Sequence, residues 1–230
     1  MNRYRLYYAP DNASLIVRLV LENLGQPYET VLVDRAARAQ RLPSYLALNP
    51  NGLIPVLETP DGVMFETGAI LLWLADRHGR LAPGTDAPTR GDFLKWLFFL
   101  SSTVHSCLRM TFYPNQYVGD NAEAQAMLRA QMQARFAEYL DMIEARAVPW
   151  FGADHASVLD CYLACLMRWR ALYPEGARGR YDTRDWPRLH TMLERLESGA
   201  PVRAAVGAEG LGDAPFTAPA HPDPPEGSAI

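Results

Sequence analysis

Hydrophobic and polar positions in residues 1–80 switch between the two-residue period of strands and the longer period of helices. Strand patterns occur at 4–8, 28–34, 54–59 and 63–66. Helical patterns end at Gly25, surround Pro43 and run from Thr67 to Gly79. The turn Pro60-Asp61-Gly62 joins the last two strand patterns as a hairpin. The order β-α-β-α-β-β-α predicts an α/β domain over residues 1–80.

Only helical patterns follow. Residues 81–91 hold two prolines and two glycines and predict a linker. Four long helical patterns then occur, at 92–110, 122–147, 157–172 and 184–199. Residues 92–207 are therefore expected to form an all-α domain. The final segment, 208–230, carries five of the 18 prolines and cannot bury a core of its own, so it is expected to be irregular, either disordered or laid over the surface.

Composition limits the classes of function. The 230 residues are 49% hydrophobic and 21% charged, with a net charge of −4, which does not suggest a nucleic-acid-binding surface. No apolar run is long enough to cross a membrane, and the first residues lack the apolar core of a signal peptide. The odd number of cysteines, three, favours free thiols in a reducing cytoplasm. Neither nucleic acid nor membrane is expected as a partner.

Two short stretches carry candidate chemistry. Pro55 lies between Ile54 and Val56 in a strand pattern, although proline cannot donate to a sheet ladder. On its own, such a proline equally fits protection of a sheet edge. Glu66 and Thr67 precede an apolar helical run, and the start of a helix binds carboxylates well. The plain alternative for this pair is a helix cap, for which Thr67 is suited, beside a solvated acid.

Four phrases together resemble the cytosolic glutathione S-transferases, closest in pattern to bacterial beta- and theta-like members. The phrases are LYYAPDNAS, LNPNGLIPVL, FETGAILLWLAD and SVLDCYLA. The resemblance runs from about Arg3 to about Pro201. It implies a thioredoxin-like N-terminal domain that binds glutathione, followed by an all-helical domain that forms the acceptor-substrate pocket. It also implies a homodimer, glutathione as co-substrate and no metal.

The resemblance assigns glutathione contacts to five residues: Leu53, Ile54, Pro55, Glu66 and Thr67. In the family, the proline at the position of Pro55 follows a cis peptide bond. This leaves the backbone of Ile54 free to pair with the cysteinyl residue of glutathione. Thr67 and its N–H suit the γ-glutamyl carboxylate, and Glu66 suits the ammonium. Many relatives carry a lysine and a glutamine where this chain has Asn51 and Leu53. Two alternatives follow: glutathione binds more weakly, or Arg38 or Arg41 supplies the missing cation.

The glutathione thiol is expected near the start of the first helix. A helix N-terminus and a hydroxyl donor lower a thiol pKa, and the thiolate is the nucleophile. Ser14 is the first candidate donor, with Asn12 and Tyr8 as the others, although Ser14 also fits a simple first-turn residue. The beta-class cysteine position holds Ala13 here, which excludes mixed-disulfide chemistry through that residue.

The acceptor pocket is expected along residues 101–117. His105, Leu108, Phe112 and Tyr113 recur at helical spacing, which equally fits helix packing or a dimer interface. The beta-class pattern has a histidine at the position of His105 that faces the cleft. Farther along, Ser157 and Asp160 form a predicted capping box, and Cys161 and Cys165 are expected to be buried small hydrophobes.

The predicted function is a detoxifying glutathione transferase that activates the thiol for attack on a small apolar electrophile. Two alternatives stay open from the sequence. One is a non-catalytic binding or interaction protein, which the departures at Ala13, Asn51 and Leu53 keep open. The other is a glutathione-dependent isomerase, peroxidase or dehalogenase, since the acceptor pocket is the variable part of such proteins.

Overall fold

A four-stranded mixed sheet forms the first part of the molecule. The computed structural model describes residues 4–146, 150–151, 156–176 and 181–229. The strands are β1 (Tyr4–Tyr8), β2 (Tyr28–Leu32), β3 (Val56–Thr59) and β4 (Gly62–Phe65). Their order is β2-β1-β3-β4; β2 pairs with β1 in parallel, and both other pairs are antiparallel. The strand pattern at 54–59 thus becomes a strand only from Val56, because Pro55 cannot join the ladder.

Three helices cover this sheet: α1 (Ser14–Leu24), α2 (Pro43–Leu46) and α3 (Thr67–His78). Gly25 and Gly79 end α1 and α3 in the left-handed conformation, with φ of 66° and 60°. The predicted break of the helical pattern at Pro43 is confirmed, but the described residues just before it form no α-helix. Pro43 begins α2, where its missing N–H costs nothing, and only a single 3₁₀ turn at Ala39–Arg41 precedes it.

The remaining elements are helices: α4 (Arg90–Phe98), α5 (His105–Phe112), α6 (Asn115–Val118), α7 (Ala122–Arg146), α8 (Val158–Leu172), α9 (Pro187–Glu197) and α10 (Ala200–Glu209). A thioredoxin-like α/β part followed by helices confirms the predicted fold class. Among the described residues, no helix is long and apolar enough to cross a membrane.

A π-helical segment, Phe99–Val104, interrupts the helix predicted over 92–110. It passes close to the start of α3: a Cβ added to Gly68 would lie 3.2 Å from the Cβ of Ser101. The small side chains at this crossing allow the helical part to approach the edge of the sheet where α3 begins.

Helix α8 is the central element of the helical part, and nearly all of its side chains are buried. Its predicted capping box is confirmed. The hydroxyl of Ser157 accepts hydrogen bonds from the N–H groups of Leu159 and Asp160, and the Asp160 carboxylate accepts one from the N–H of Ser157 at 2.6 Å. Cys161 and Cys165 are buried free cysteines within this helix.

Residues 211–229 form the last part of the chain described and contain neither helix nor strand. This segment, called the tail below, begins after α10 ends at Glu209. Phe216 of the tail is fully buried in the hydrophobic core. The tail is therefore laid over the protein and anchored to it.

Candidate functional site

The sheet register brings three segments together at one edge. Val56 pairs with Phe65 of β4 and with Tyr7 of β1. Extending both antiparallel registers by two residues places Ile54 opposite Thr67 on one side and opposite Ala9 on the other. The loop after β1, the Ile54–Pro55 bond and the start of α3 therefore meet. This edge is the candidate site.

The Ile54–Pro55 peptide bond is cis, as the resemblance predicted. Within the described parts of the chain, no residue hydrogen-bonds to the backbone N–H or C=O of Ile54. Ile54 is only half-buried. Since backbone polar groups are normally paired, this exposed edge can accept an extended, peptide-like ligand as an additional strand.

Two side chains fix the backbone before the cis bond. The C=O of Leu53 accepts hydrogen bonds from the Tyr45 hydroxyl and the Asn49 amide, both at 2.8 Å. The Asn49 side chain also accepts from the N–H of Asn51 at 3.0 Å. Sequence reasoning missed Tyr45 and Asn49, although asparagine in a turn often bonds the backbone two residues later. The side chain of Leu53 is 39% exposed beside the site.

Arg41 lies over the turn that leads to Leu53. Its Nη1 is 3.4 Å from the C=O of Asn51, and a Cβ on Gly52 would lie 2.9 Å from the same nitrogen. Gly52, with φ of 61°, allows this close approach. Of the two arginines expected to replace the missing cation, Arg41 is thus placed beside the turn, whereas Arg38 precedes the 3₁₀ turn with φ of 55°.

Glu66 and Thr67 form the other side of this end of the site. The prediction that Thr67 caps α3 was wrong, because Glu66 is the N-cap and Thr67 is the first helical residue. Glu66 has φ of 70°, unusual for a residue with a side chain, and strain of this kind is common at ligand sites. The Thr67 hydroxyl and the exposed Glu66 carboxylate have no hydrogen-bond or ion-pair partner among the residues described. Both are available to a ligand.

Ser14, the first residue of α1, lies at the end of the loop that follows β1. It is fully buried; its hydroxyl donates to the C=O of Ala9 at 3.1 Å and accepts from the N–H of Ala9 at 3.3 Å. These bonds use the hydroxyl inside the protein. The geometry therefore gives Ser14 a role in shaping the loop, and its role as thiol donor stays a prediction.

The other two candidate donors lie on either side of that loop. The Asn12 side chain accepts from the N–H of Ala13 at 3.0 Å, and its C=O accepts from the N–H of Leu15 at 2.8 Å. Tyr8 is 2% exposed, and its hydroxyl donates to the carboxylate of Glu226 in the tail. Burial and this carboxylate raise the pKa of Tyr8.

A buried carboxylate, Asp11, ties the loop to the helical part. It is 4% exposed and has φ of 48°. It accepts two hydrogen bonds from the Arg168 guanidinium (2.8 and 3.1 Å), one from the Trp169 indole (2.8 Å) and one from the Tyr173 hydroxyl (3.1 Å). Sequence reasoning missed this cluster, although an arginine at position 168 within the largely apolar α8 was a usable signal.

A second buried ion pair lies next to the first. The N–H of Asp11 donates to Glu209 at 2.8 Å, and Arg18 Nε donates to the other oxygen of Glu209 at 2.7 Å. Burial raises the pKa of the Glu209 carboxyl to about 7, while the Arg18 charge acts in the opposite direction. The loop after β1 is thus held by α1, α8 and α10 together.

The helical part contributes an aromatic wall. His105 Nδ1 lies 3.0 Å from the Tyr162 hydroxyl, and its ring packs against the rings of Tyr162 and Trp169. Burial lowers the pKa of His105 to about 4, so the imidazole is neutral at pH 7. Because Trp169 also binds Asp11, this wall is continuous with the loop after β1.

The four predicted acceptor-pocket residues lie on α5 and at its end, and their burial differs. Leu108 is fully buried in the core, and its assignment to the pocket stays a prediction. Phe112 is half-buried and packs edge-to-face on Tyr173. The Tyr113 hydroxyl accepts a hydrogen bond from Arg35 at 3.3 Å.

The two ends of the site have different chemical abilities. One end offers free backbone groups, a helix start, a hydroxyl and a carboxylate, which suit an amino acid head group on an extended peptide. The other end offers the first turn of α1 beside an aromatic wall. The part of the chain described holds no cluster of three or more metal-ligating side chains.

Comparison with protein families identifies residues 6–84 as a match to the glutathione S-transferase N-terminal domain. A glutathione S-transferase from Xanthomonas campestris, GST-4.5, is 27% identical over 90% of this chain and 99% of the relative. GstB, a glutathione S-transferase of Escherichia coli, is 32% identical over 64% of this chain and 73% of the relative. The disulfide-bond oxidoreductase YfcG of Escherichia coli is 27% identical over 90% of this chain and 96% of the relative.

Solved structures of glutathione transferases also resemble this chain. A glutathione transferase homologue from Sulfitobacter with bound glutathione aligns with a TM-score of 0.76 and 27% identity, over 89% of this chain and 97% of the other. A bacterial beta-class glutathione S-transferase from Sphingomonas chungbukensis aligns with a TM-score of 0.72 and 27% identity, over 90% and 98% of the two chains. The similarity therefore extends over nearly the whole length of these proteins.

Proposed function

The chain belongs to the glutathione S-transferase family, as its sequence predicted, and from this premise we propose that it is a glutathione-dependent transferase. It binds glutathione along the edge formed by Ile54, Pro55 and the start of α3. The observation that carries the proposal is the unpaired backbone of Ile54 beside a cis proline, opposite a helix N-terminus with an unused hydroxyl.

Each part of glutathione has a counterpart in this geometry. The cysteinyl backbone pairs with Ile54 as an added strand. The γ-glutamyl carboxylate is held by the hydroxyl and N–H of Thr67 at the positive end of α3, and its ammonium by Glu66. Arg41 faces the glycyl carboxylate from the turn before Leu53. The ligand then lies across the site with its thiol toward α1.

The thiol end is where the reaction takes place. The first-turn N–H groups of α1 stabilise the thiolate, and Asn12 or Tyr8 supplies a further donor, because the Ser14 hydroxyl is already used. The thiolate attacks an electrophilic carbon of a small apolar acceptor, the carbon–sulfur bond forms and the leaving group departs with its electron pair. The aromatic wall around His105 and Phe112 supplies the apolar surface beside the thiolate.

A disulfide reductase is the second candidate, because a relative that matches 90% of this chain is named a disulfide-bond oxidoreductase. Cys107, Cys161 and Cys165 are buried, and burial raises the pKa of each thiol. The reacting thiols would therefore come from glutathione. The bound glutathione thiolate attacks the substrate disulfide, forms a mixed disulfide and expels one substrate thiolate. A second glutathione thiolate then attacks the glutathione sulfur of the mixed disulfide, which gives oxidised glutathione and expels the other substrate thiolate.

Titration calorimetry with reduced glutathione at pH 7, in two buffers of different ionisation enthalpy, tests the proposal. We expect binding with release of a proton, because the free thiol is mostly protonated at this pH. Thr67→Val should weaken binding about tenfold or more by removing a hydrogen bond to a charged group, whereas Thr67→Ser should bind like the wild type.

Each other outcome has a defined meaning. Absence of binding at millimolar glutathione would overturn the proposal. Binding without proton release would favour the non-catalytic binding protein predicted as an alternative. Where a proton is released, two activity assays separate the candidates. A transferase consumes an apolar electrophile, and a reductase consumes a small disulfide. The homodimer and the cytoplasmic location stay predictions of the sequence.

A further inference from the structure

The tail returns from α10 toward the thiol end of the site, and its first half is firmly anchored. Phe216 is fully buried. The Glu197 carboxylate accepts hydrogen bonds from the N–H groups of Phe216 and Thr217 and from the Thr217 hydroxyl, at 2.6 to 2.7 Å. This half therefore belongs to the folded body of the protein.

Arg168 provides a second anchor. Its guanidinium donates to the backbone C=O groups of Leu211 (3.4 Å), Pro215 (2.9 Å) and Ala220 (2.9 Å), in addition to Asp11. One buried cation thus holds both the loop after β1 and the tail as far as Ala220. The direction in which the rest of the tail leaves is fixed by this contact.

The second half of the tail, residues 221–229, lies directly on the thiol end. The Glu226 carboxylate accepts the hydrogen bond of the Tyr8 hydroxyl. The guanidinium of Arg35 donates to the C=O of Ala229 and also to the Tyr113 hydroxyl. The tail therefore contacts a candidate thiol donor directly and is linked through Arg35 to a predicted acceptor-side residue.

Gly227 permits a close approach between this half of the tail and the loop after β1. It has φ of 71°, and a Cβ added there would lie 2.7 Å from Leu32 Cδ1 and 3.4 Å from Pro10 Cδ. Glu226 and Gly227 are nevertheless exposed on their outer side. At the start of this half, the N–H of Asp223 donates to the C=O of Gly210 at 2.9 Å, and the His221 ring packs on Tyr173. Opening this half breaks these contacts but leaves the buried Phe216 in place.

We propose that residues 221–229 form a gate over the thiol end, and that Glu226 competes with the glutathione thiolate for the Tyr8 hydroxyl. The proposal rests on the proposed function, since it names a regulator of the same site. A phenol has one proton to donate, so it serves one anion at a time. A carboxylate beside a thiolate also raises the energy of both charges. Glutathione with an ionised thiol therefore binds best when the gate is open.

The first test compares Glu226→Gln with Asp213→Asn by glutathione calorimetry and by the pH dependence of thiolate absorbance. Asp213 is an exposed tail carboxylate without a partner among the described residues, so its variant controls for loss of charge. We expect Glu226→Gln to bind glutathione about three to ten times more tightly and to lower the pKa of the bound thiol, because the competing anion is gone. Asp213→Asn should match the wild type.

A matched pair of glycines tests the gate without changing charge. Gly227 and Gly212 both have positive φ, 71° and 79°, but a Cβ on Gly212 would meet no atom within 4 Å. Gly227→Ala should displace the end of the tail and reproduce the tighter binding of Glu226→Gln. Gly212→Ala, with similar backbone strain, should not.

Hydrogen exchange in the wild-type protein gives the third readout. Added glutathione should speed amide exchange in residues 221–229 and leave residues around Phe216 unchanged. Unchanged affinity and thiol pKa in both Glu226→Gln and Gly227→Ala, with the wild type still binding glutathione, would overturn the gate and leave the proposed function standing. Loss of glutathione binding in every form, wild type included, would overturn both.

Discussion

The two ends of the site differ in how their polar groups are satisfied. At the end proposed to hold the γ-glutamyl group, called the γ-glutamyl end below, the Ile54 backbone, the Thr67 hydroxyl and the Glu66 carboxylate have no partners among the residues described. At the thiol end, the protein itself satisfies the polar groups: Asp11 accepts from three side chains and Ser14 bonds twice to Ala9. The first end is prepared to receive a ligand, and the second is prepared to hold a loop in one shape.

This difference indicates how the two ends tolerate change. Substitutions at the γ-glutamyl end should alter glutathione binding with little effect on folding, because the polar groups there make no hydrogen bond to other described residues in the free protein. Substitutions at the thiol end should mainly lower the stability of the fold, because the polar groups there already form hydrogen bonds and ion pairs within the protein. The predictions below test this separation, from the largest expected effect to the smallest.

Arg168→Met should lower the free energy of unfolding by about 3–5 kcal/mol, because it leaves Asp11 as a buried carboxylate without its cation and frees three tail C=O groups. Arg135→Met is the matched control, since Arg135 pairs with Glu138 on the exposed surface, where such pairs contribute at most about 1 kcal/mol. Urea denaturation measures both. Equal losses in the two variants would contradict the idea that buried charge holds the thiol end.

His105 should make the stability of the thiol end depend on pH. Its folded pKa is about 4, below the unfolded value of about 6.5, so the unfolded chain binds the extra proton between these pH values. The stability that neutral His105 contributes is present above pH 6.5 and is lost as pH falls to 4, by about 2–3 kcal/mol.

Urea denaturation of the wild type and of His105→Gln across pH 4 to 7 isolates this effect, since other groups contribute equally to both proteins. The difference in unfolding free energy, wild type minus variant, should rise with pH over that window. A difference that stays flat would mean that His105 is solvated and does not belong to a dry wall.

Ser14→Ala should cost about 1–2 kcal/mol of stability through the lost bonds to Ala9, without changing the pKa of bound glutathione. Ser102→Ala, at an exposed serine, should cost much less and serves as the control. Thiolate absorbance against pH provides the readout for the ligand. A raised pKa of the bound thiol in Ser14→Ala would show that Ser14 donates a hydrogen bond to the thiolate, as its sequence position suggested.

The cis bond at Pro55 and its position beside the start of α3 were predictable because their determinants are local. Pro55 and the pair Glu66–Thr67 lie within twelve residues of each other, and the hairpin register between them follows from one turn. The thiol end was not predictable in the same way. Its central contact joins Asp11 to Arg168, which are 157 residues apart, and no local pattern reports which buried arginine meets which carboxylate.

Packing decides what helical spacing leaves open. Leu108 and Phe112 lie four residues apart on one face of α5, but only the folded helices make Leu108 fully buried and leave Phe112 half-buried. The tail contains too many prolines for a periodic pattern, so its path to Tyr8 depends on Glu197 and Arg168, which the sequence does not connect to it. Composition alone predicted its irregular backbone.

The position of Ala229 has a practical consequence for handling the protein. Its C=O is bonded to Arg35 at the mouth of the thiol end, so a reporter group attached within residues 221–229 would lie at the entrance of the site. Tyr4 lies at the opposite end of β1 from Tyr8. A reporter attached next to Tyr4 therefore leaves the entrance clear, and assays that use the two positions would measure proteins with different access to the site.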